Sequence, residues 1–282
     1  MKKIGALLFL MAAACIAVRE HAVAQKAGVE DVIAKSVTSV GSADDRAKIK
    51  NIAAAGDVGF NKSSFTSIMN PGKVVTSSEG DKFLLAMNFP SSVYQQEKVI
   101  FDGKSAAIAF SQPGSRSLFG DYLFRYDLIV KQGLLGGVLS RTWPLYNPSQ
   151  ANAKISLDGS KKIDGKDCYV LRYEPKKGSD VSVKIFIEKE TGHHLRTEYR
   201  HLNSGGASSN PNTSSRITET HEDMTEDFGD FKMEGGLMLP HSYKITLLVE
   251  RQSQTYQGFW KMDLKDFFFN SKIDAAAFDT SK

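Results

Sequence analysis

The side chains that could do chemistry in this sequence begin with three histidines. Histidine binds metal ions, but His193 and His201 lie eight positions apart. In a strand that separation is about 26 Å, too far for two ligands of one ion. We therefore interpret His193, His194 and His201 as surface or turn residues and predict no metal site.

An acidic run offers the oxygen ligands that calcium prefers. It lacks the glycine and the ligand spacing of a calcium-binding loop. We interpret it as a solvated strand edge, whose charge prevents edge-to-edge pairing with another sheet. The run consists of Glu219, Glu222, Asp223, Glu226, Asp227 and Asp230.

Nucleophilic chemistry has little support. Cys168 lies in an alternating strand without a recognisable partner base, so we interpret it as a small buried side chain. The sequence contains no Gly-x-Ser-x-Gly, His-Glu-x-x-His, phosphate-binding Gly-rich loop or Cys-x-x-Cys. We predict a protein that is not an enzyme and has no cofactor or catalytic residue. A hydrolase is the weakest of three alternatives.

Strands dominate the elements that would hold these residues. From Lys166 to His201, three alternating runs rich in β-branched and aromatic residues are separated by glycine-containing turns, which predicts an antiparallel β-meander. Phe186 points away from the apolar face, so the sheet needs cover on both sides or must curl round a cavity. On the apolar face we place Tyr169, Leu171, Tyr173, Val183, Ile185, Ile187, Leu195 and Tyr199.

Helical patterns are few. One helix is predicted from Val29 to Val40, and apolar residues at three- and four-residue spacings predict a helical insert at 117–146. The glycines of the insert each weaken a helix by about 1 kcal/mol relative to alanine, so its middle should be broken. The insert either packs as core or covers a cavity as a lid. The glycine- and serine-rich segment 203–215 predicts a flexible exposed loop.

Residues 1–24 have the pattern of a signal peptide: two lysines, an apolar run and a small-x-small motif ending at Ala24. The apolar run, Ile4 to Val18, has 15 residues, fewer than the roughly 20 that cross a bilayer. An alternative makes Cys15 the acylated cysteine of a lipoprotein. Loss of residues 1–24 lowers the formal charge from +4 to +2, which gives no electrostatic reason to expect nucleic acid as a partner.

The sequence has more large apolar side chains than one flat sheet needs on its core face. In a closed domain they would be core. If the sheet curls without closing, they would line a ligand pocket, because lipid sites are concave and apolar. We predict as ligand-binding residues Leu134, Leu135, Val138, Leu139, Trp143, Tyr169, Leu171, Tyr173, Ile185, Ile187 and Trp260.

Four stretches resemble the LolA-like outer-membrane lipoprotein-sorting proteins, taken in the broad sense: Gly165 to Leu171, Val183 to Leu195, Asp230 to Pro240 and Asn270 to Phe278. The length is normal for a single large β-sheet structure, so we predict one domain over 25–282 with an α+β, mainly β fold. The resemblance implies a curved, incomplete antiparallel β-barrel with helices over the concave side and a cavity for acyl chains. No ligand motif matches residue by residue, so no functional residue is transferred.

We therefore expect a periplasmic, monomeric binding or carrier protein that holds lipid or the acyl chains of a lipoprotein. The alternative is an envelope sensor or interaction module, whose cavity is filled by its own side chains and whose partner is an envelope protein. The interior separates the two hypotheses. A void on the order of several hundred Å³ favours the carrier, and a packed interior favours the module.

Overall fold

The computed structural model describes residues 27–62, 68–203, 220–251 and 254–281, and its described strands form one antiparallel sheet. The strands are β1 (Asn51–Asn61), β2 (Asn70–Glu79), β3 (Lys82–Asn88), β4 (Gln96–Phe101), β5 (Ala106–Ile108), β6 (Ala153–Ile163), β7 (Lys166–Pro175), β8 (Val181–Glu188), β9 (His194–Asn203), β10 (Thr220–Glu234), β11 (Leu237–Arg251) and β12 (Gln254–Phe269). Their order is β5-β4-β3-β2-β1-β12-β11-β10-β9-β8-β7-β6. Strands β5 and β6 form the two edges, so the sheet is not closed.

The helices in the described ranges are α1 (Val29–Val40), α2 (Ala43–Lys48), α3 (Leu118–Arg125) and α4 (Leu128–Lys131), with 3₁₀ helices at Gly137–Leu139 and Ala275–Phe278. Helix α1 has the predicted bounds. Helix α3 begins where the Ser117 hydroxyl accepts a hydrogen bond from the N–H of Gly120 at 2.8 Å. As far as the chain is described, none of its helices has the length and apolar character needed to cross a bilayer.

Parts of the sequence interpretation lie outside the described residues. These are the predicted signal peptide, with Cys15, and residues 204–215 of the predicted loop. Asn203, the first residue of that predicted loop, is the last residue of β9.

The sheet bends around the insert at 117–146. The neighbouring residues Gly136 and Gly137 lie against Phe83 of β3 and His194 of β9, respectively. Five strands separate β3 from β9, so a flat sheet would hold them about 29 Å apart. Two adjacent residues reach both strands only because the sheet is curved. The predicted fold class is confirmed: a mainly β, incomplete barrel with helical segments on the concave side.

The meander is confirmed as β7, β8 and β9, but one side chain lies on the opposite face from that predicted. The pairing of β8 with β9 shifts, so that Phe186 faces Arg196 while Ile187 faces His194. The extra residue of this bulge is Leu195, which packs against Phe186 on the outer face. The prediction that Leu195 faces the main core is wrong. His194 takes the inner position and is 1% exposed, so its interpretation as a surface or turn residue is also wrong.

Glu219 lies outside the described residues, and the other members of the acidic run belong to a central strand. Strand β10 pairs with β9 on one side and β11 on the other, so the interpretation of the run as a solvated strand edge is wrong. Glu222 and Glu226 share strand parity with Met224 and Phe228, and all four side chains are buried. Two carboxyl groups are therefore placed in the interior.

Candidate functional site

The eleven residues predicted to bind a ligand come together as part of one continuous core. Ten of them are at most 3% exposed, and Tyr169 is half-buried against the same core. The concave side of the sheet is thus filled by the protein's own side chains, including Trp143, Tyr122 and Tyr199. Ligand binding by these residues stays a prediction, and it requires the insert to move away from the sheet.

A carboxyl group lies within this filled interior. Glu226 of β10 accepts hydrogen bonds from the hydroxyls of Tyr199 and Tyr243, on β9 and β11, each at 2.5 Å. It also accepts one from the N–H of Gly136 in the insert, at 2.8 Å. Burial raises the pKa of Glu226 from its ordinary value of 4.5 to about 7, although the hydrogen bonds act in the opposite direction. Three strands and the insert therefore meet at one acid.

Further polar contacts tie the insert to the sheet. The Arg125 guanidinium of α3 donates to both carboxylate oxygens of Glu222 on β10, at 2.5 and 2.9 Å. Nearer the end of the insert, the N–H of Arg141 donates to the Ser78 hydroxyl of β2 at 2.9 Å. Contacts with strands as far apart as β2 and β10 fix the insert across the concave face.

The histidine and the cysteine that were considered for chemistry, His194 and Cys168, are packed inside the fold. The His194 ring stacks on Trp143, with centroids 5.0 Å apart, and its Nε2 lies 2.8 Å from the Thr197 hydroxyl. Burial lowers the pKa of His194 from 6.5 to about 3, so the ring is neutral at pH 7. Cys168 is buried in the outer cluster, and burial raises the pKa of its thiol. In the described ranges, no group of three or more His, Cys, Asp or Glu side chains is arranged to hold a metal ion.

An open cavity of about 410 Å³ lies where β1 and β11 end and β12 begins, beside the start of α3. We name it the end cavity. Its size is that of a small-molecule site. Trp260 is the predicted ligand-binding residue that lines it. The lining residues are Phe60, Lys62, Val93, Tyr94, Ser111, Gln112, Ser115, Arg116, Ser117, Leu118, Phe119, Leu247, Thr255, Tyr256, Gln257, Gly258 and Trp260.

Aromatic rings form the floor of the end cavity. The Phe60 ring contacts those of Tyr94 and Trp260, with centroid distances of 4.2 and 5.1 Å, and Phe119 lies 5.0 Å from Trp260. Trp260 Nε1 donates to the Tyr94 hydroxyl, which donates to Glu97, each at 2.7 Å. Burial raises the pKa of Glu97 from 4.5 to about 7. The indole N–H and the phenol are thus paired with each other and with Glu97, and the floor offers apolar ring surface.

Cations line the mouth of the end cavity. Among the described residues, Lys62 and Arg116 are the charged residues of its lining, and no Asp or Glu lines it. The Arg116 guanidinium lies 4.7 Å from the ring centroid of Phe110 and 4.0 Å from that of Phe124, and neither ring lines the cavity. An apolar floor below a cationic mouth matches an apolar chain with an anionic head.

A second cavity, of about 520 Å³, has a different character. Its lining includes Asp164, Glu188, Asp230, Lys166 and Lys244. Lys166 Nζ lies 3.0 Å from the Glu188 carboxylate, so charges of opposite sign are already paired within it. This lining matches an acyl chain less well than that of the end cavity does.

The fold and the end cavity define a class of protein: an open antiparallel sheet wrapped around a helical insert, with a cavity floored by aromatic rings at one end. No protein-family model matches the chain, and no curated protein matches it. The sequence resemblance to LolA-like proteins is accompanied by structural similarity over about 90% of the chain.

Three solved structures illustrate this similarity. One is a LolA superfamily protein from Nitrosomonas europaea, with 13% identity, coverage of 90% of this chain and 98% of that chain, and a TM-score of 0.46. The second is a DUF1329 family protein from Desulfovibrio piger, with 14% identity, coverage of 91% and 99%, and a TM-score of 0.45. The third is a domain described as an outer membrane lipoprotein-sorting protein from Vibrio parahaemolyticus, with 12% identity, coverage of 89% and 96%, and a TM-score of 0.45.

Proposed function

We propose that the protein is a carrier that binds an acyl chain of a lipid or lipoprotein in the end cavity. The observation that carries the proposal is the combination of an aromatic floor, formed by Phe60, Phe119 and Trp260, with a mouth whose charged residues, in the described part of the chain, are Lys62 and Arg116. The chain would lie against the rings, and a phosphate or carboxylate head would lie at the two cations.

The affinity of such a site would come from removing methylene groups from water. Each buried methylene contributes about 0.8 kcal/mol, so eight of them contribute roughly 6 kcal/mol before the entropy of immobilisation is subtracted. The cavity is open at its mouth, which allows the chain to leave again. A site with these properties suits transfer of a lipid better than permanent storage.

The proposal places the ligand at the end of the sheet rather than at its centre. The predicted residues of the centre, such as Leu135, Trp143 and Ile185, would be reached only if the insert lifted from the concave face. The Gly133, Gly136 and Gly137 backbones have φ values of +66°, +81° and +50°, a region that other residues rarely adopt, so the insert depends on glycine to take its path. The central site remains part of the proposal as a second, opened state.

The remaining features of the proposal come from the sequence. We infer export to the periplasm from the signal-peptide pattern of residues 1–24, with acylation of Cys15 as the alternative. We further infer a monomer that acts without catalysis, cofactor or nucleic acid. Mass spectrometry of lipids extracted from the protein purified from its native envelope tests the carrier function directly, with a stoichiometric acyl lipid as the expected result.

A second candidate function is an envelope sensor or interaction module, and the filled concave side favours it. The burial of Trp143, Tyr173 and Tyr243 leaves the centre without room for a ligand in the described conformation. Cross-linking in intact envelopes separates the two functions. One stoichiometric protein partner without lipid supports the module.

Leu247→Trp is expected to weaken binding of a fluorescent long-chain fatty acid roughly fifteen-fold. Leu247 is buried on the inner face of β11 and lines the end cavity, so an indole there would displace about two methylenes of the bound chain. At about 0.8 kcal/mol each, their loss gives this factor. Fluorescence titration of the purified protein measures the affinity.

Leu248→Trp is the matched control, because Leu248 is the next residue of β11 and points to the opposite face. Its affinity for the fatty acid should equal that of the unmodified protein. Equal affinities for all three proteins would place the ligand outside the end cavity, and no binding by any of them would contradict the carrier function.

A further inference from the structure

We infer that the end of the molecule around the end cavity docks on the surface of a bilayer containing anionic lipids, so that an acyl chain passes between bilayer and cavity without crossing water. The inference deepens the proposed function and rests on it, because the docked surface is the mouth of the proposed lipid site. It adds the partner from which the chain is taken or to which it is delivered.

Exposed apolar side chains are concentrated at this mouth. Nine large apolar side chains are exposed in the described part of the chain, and five of them lie at the end cavity. Three line it, and the other two contact Arg116. We name these five the apolar rim: Val93, Phe110, Leu118, Phe124 and Tyr256.

The grouping of the apolar rim around one opening indicates an interaction site more strongly than the exposure of its single residues does. Single exposed apolar residues are common on protein surfaces, whereas a group around one opening marks an interaction site. Val93 is 75% exposed and Phe124 is 54% exposed, so both rim side chains are free to enter an apolar phase. Phe268, which is 50% exposed, pairs with Ala53 at the other end of β1 from Phe60 and the cavity, so it is an exposed ring outside the apolar rim.

The positive charge at the mouth of the end cavity favours a bilayer that contains anionic lipids. Lys62 and Arg116 are positive, and as far as the chain is described the lining contains no acidic residue to oppose an anionic headgroup. A basic residue near an anionic bilayer surface contributes about 1 kcal/mol, roughly a five-fold gain in partitioning. The Arg116 guanidinium lies beside two exposed rings, and such a pairing places the cation at the headgroups while the rings enter the acyl boundary.

A bilayer fits these observations better than a protein partner does. Insertable aromatic rings, cations and an opening for an acyl chain occur together on one surface, and these features match the interfacial region of a membrane. A protein seated on the same surface would cover the opening through which the chain must pass. Docking also removes the cost of exposing the chain to water during transfer.

Sedimentation with vesicles tests the inference on the purified full chain. The protein should bind vesicles of phosphatidylglycerol and phosphatidylcholine in equal parts at least ten-fold more strongly than vesicles of phosphatidylcholine alone. The double variant F110S/F124S should lose vesicle binding, and R116Q should weaken it roughly five-fold. Phe268→Ser is the matched control and should bind like the unmodified protein.

The fatty-acid titration separates failure of docking from failure of the carrier function. F110S/F124S should still bind the soluble fatty acid, because neither phenylalanine lines the end cavity, whereas Leu247→Trp should still bind vesicles. If the unmodified protein does not bind vesicles, the inference is wrong and the carrier function still stands. The same holds if Phe268→Ser loses vesicle binding to the same extent as F110S/F124S. The inference is also wrong if the unmodified protein does not bind vesicles but forms a dimer or a protein complex that F110S/F124S abolishes.

Discussion

Replacing Glu226 with glutamine is expected to raise the free energy of unfolding by about 3 kcal/mol at pH 8 and to leave it nearly unchanged near pH 4. The reason is the pKa of Glu226, which burial raises from 4.5 to about 7. One pKa unit corresponds to about 1.4 kcal/mol, so ionising this group costs about 3 kcal/mol more in the folded protein than in the unfolded chain. Glutamine has the shape of the protonated acid and does not ionise.

The direction of the pH dependence follows from proton binding. Folded protein keeps the Glu226 proton up to about pH 7, whereas the unfolded chain releases it near pH 4.5. The contribution of Glu226 to stability is therefore complete below pH 4.5 and is lost as the pH rises to 7. Glu97 acts in the same direction. His194 acts in the opposite one, since its lowered pKa gives a contribution that is present above pH 6.5 and lost as the pH falls toward 3.

Urea unfolding of both proteins between pH 4 and pH 8 measures this difference. Comparison of Glu226→Gln with the unmodified protein isolates one group, because Glu97 and His194 titrate in both proteins. Glu250→Gln, on an exposed position of β11, is the matched control and should change the free energy of unfolding by less than about 0.5 kcal/mol. If Glu226→Gln destabilises the protein at pH 8, Glu226 is held in the fold as the charged form and the pKa shift has the opposite sign.

Gly137→Ala is expected to lower the free energy of unfolding by about 3 kcal/mol, whereas Gly178→Ala should lower it by about 1 kcal/mol. Both glycines have positive φ, +50° and +78°, so alanine is strained at either position by about 1 kcal/mol or slightly more. At Gly137 the added Cβ would also lie 2.6 Å from His194 Nδ1 and 2.9 Å from Phe228 Cζ. At Gly178 it would meet nothing within 4 Å. Displacing two buried rings costs a further 1–3 kcal/mol, roughly.

The pair of alanine variants therefore measures how tightly the insert fits the concave face. Urea unfolding gives the two free energies, and amide hydrogen exchange reports whether the insert and β9 become less protected in Gly137→Ala. A loosened insert should also expose the central residues that were predicted to bind a ligand, and so raise uptake of the fluorescent fatty acid. Equal costs for the two substitutions would mean that the insert does not pack against His194 and Phe228 as described.

The fold was largely predictable because its signals are local. The meander of β7 to β9 follows from period-two alternation and glycine turns, and helix α1 follows from apolar spacing between Val29 and Val40. Each signal requires only a few neighbouring residues. Leu195 shows the limit of this reasoning, since one bulge reverses the side to which a residue points and no composition signal marks the extra residue.

The acids of β10 were misassigned for a different reason. Their position depends on which strands flank β10, and pairing is decided by the whole sheet. The burial of Glu222 and Glu226 could have been inferred from their shared parity with Met224 and Phe228, a regular alternation that the density of charge obscured. A carboxyl group is tolerated there because tyrosines of β9 and β11 and a backbone N–H of the insert satisfy it.

The amino-acid pattern alone shows that this protein is mainly β, that its sheet carries apolar side chains on both faces, and that an insert containing glycines separates two groups of strands. Those properties follow from patterns of residues that are a few positions apart. That the insert fills the concave face, and that a cavity with an aromatic floor lies at one end, depends on the tertiary structure. That space is bounded by Phe60, Tyr94, Phe119 and Trp260, which come from four segments distant in the chain. Whether such rings close a gap or leave one depends on the curvature of the sheet and the packing of the insert, and both are set by long-range contacts.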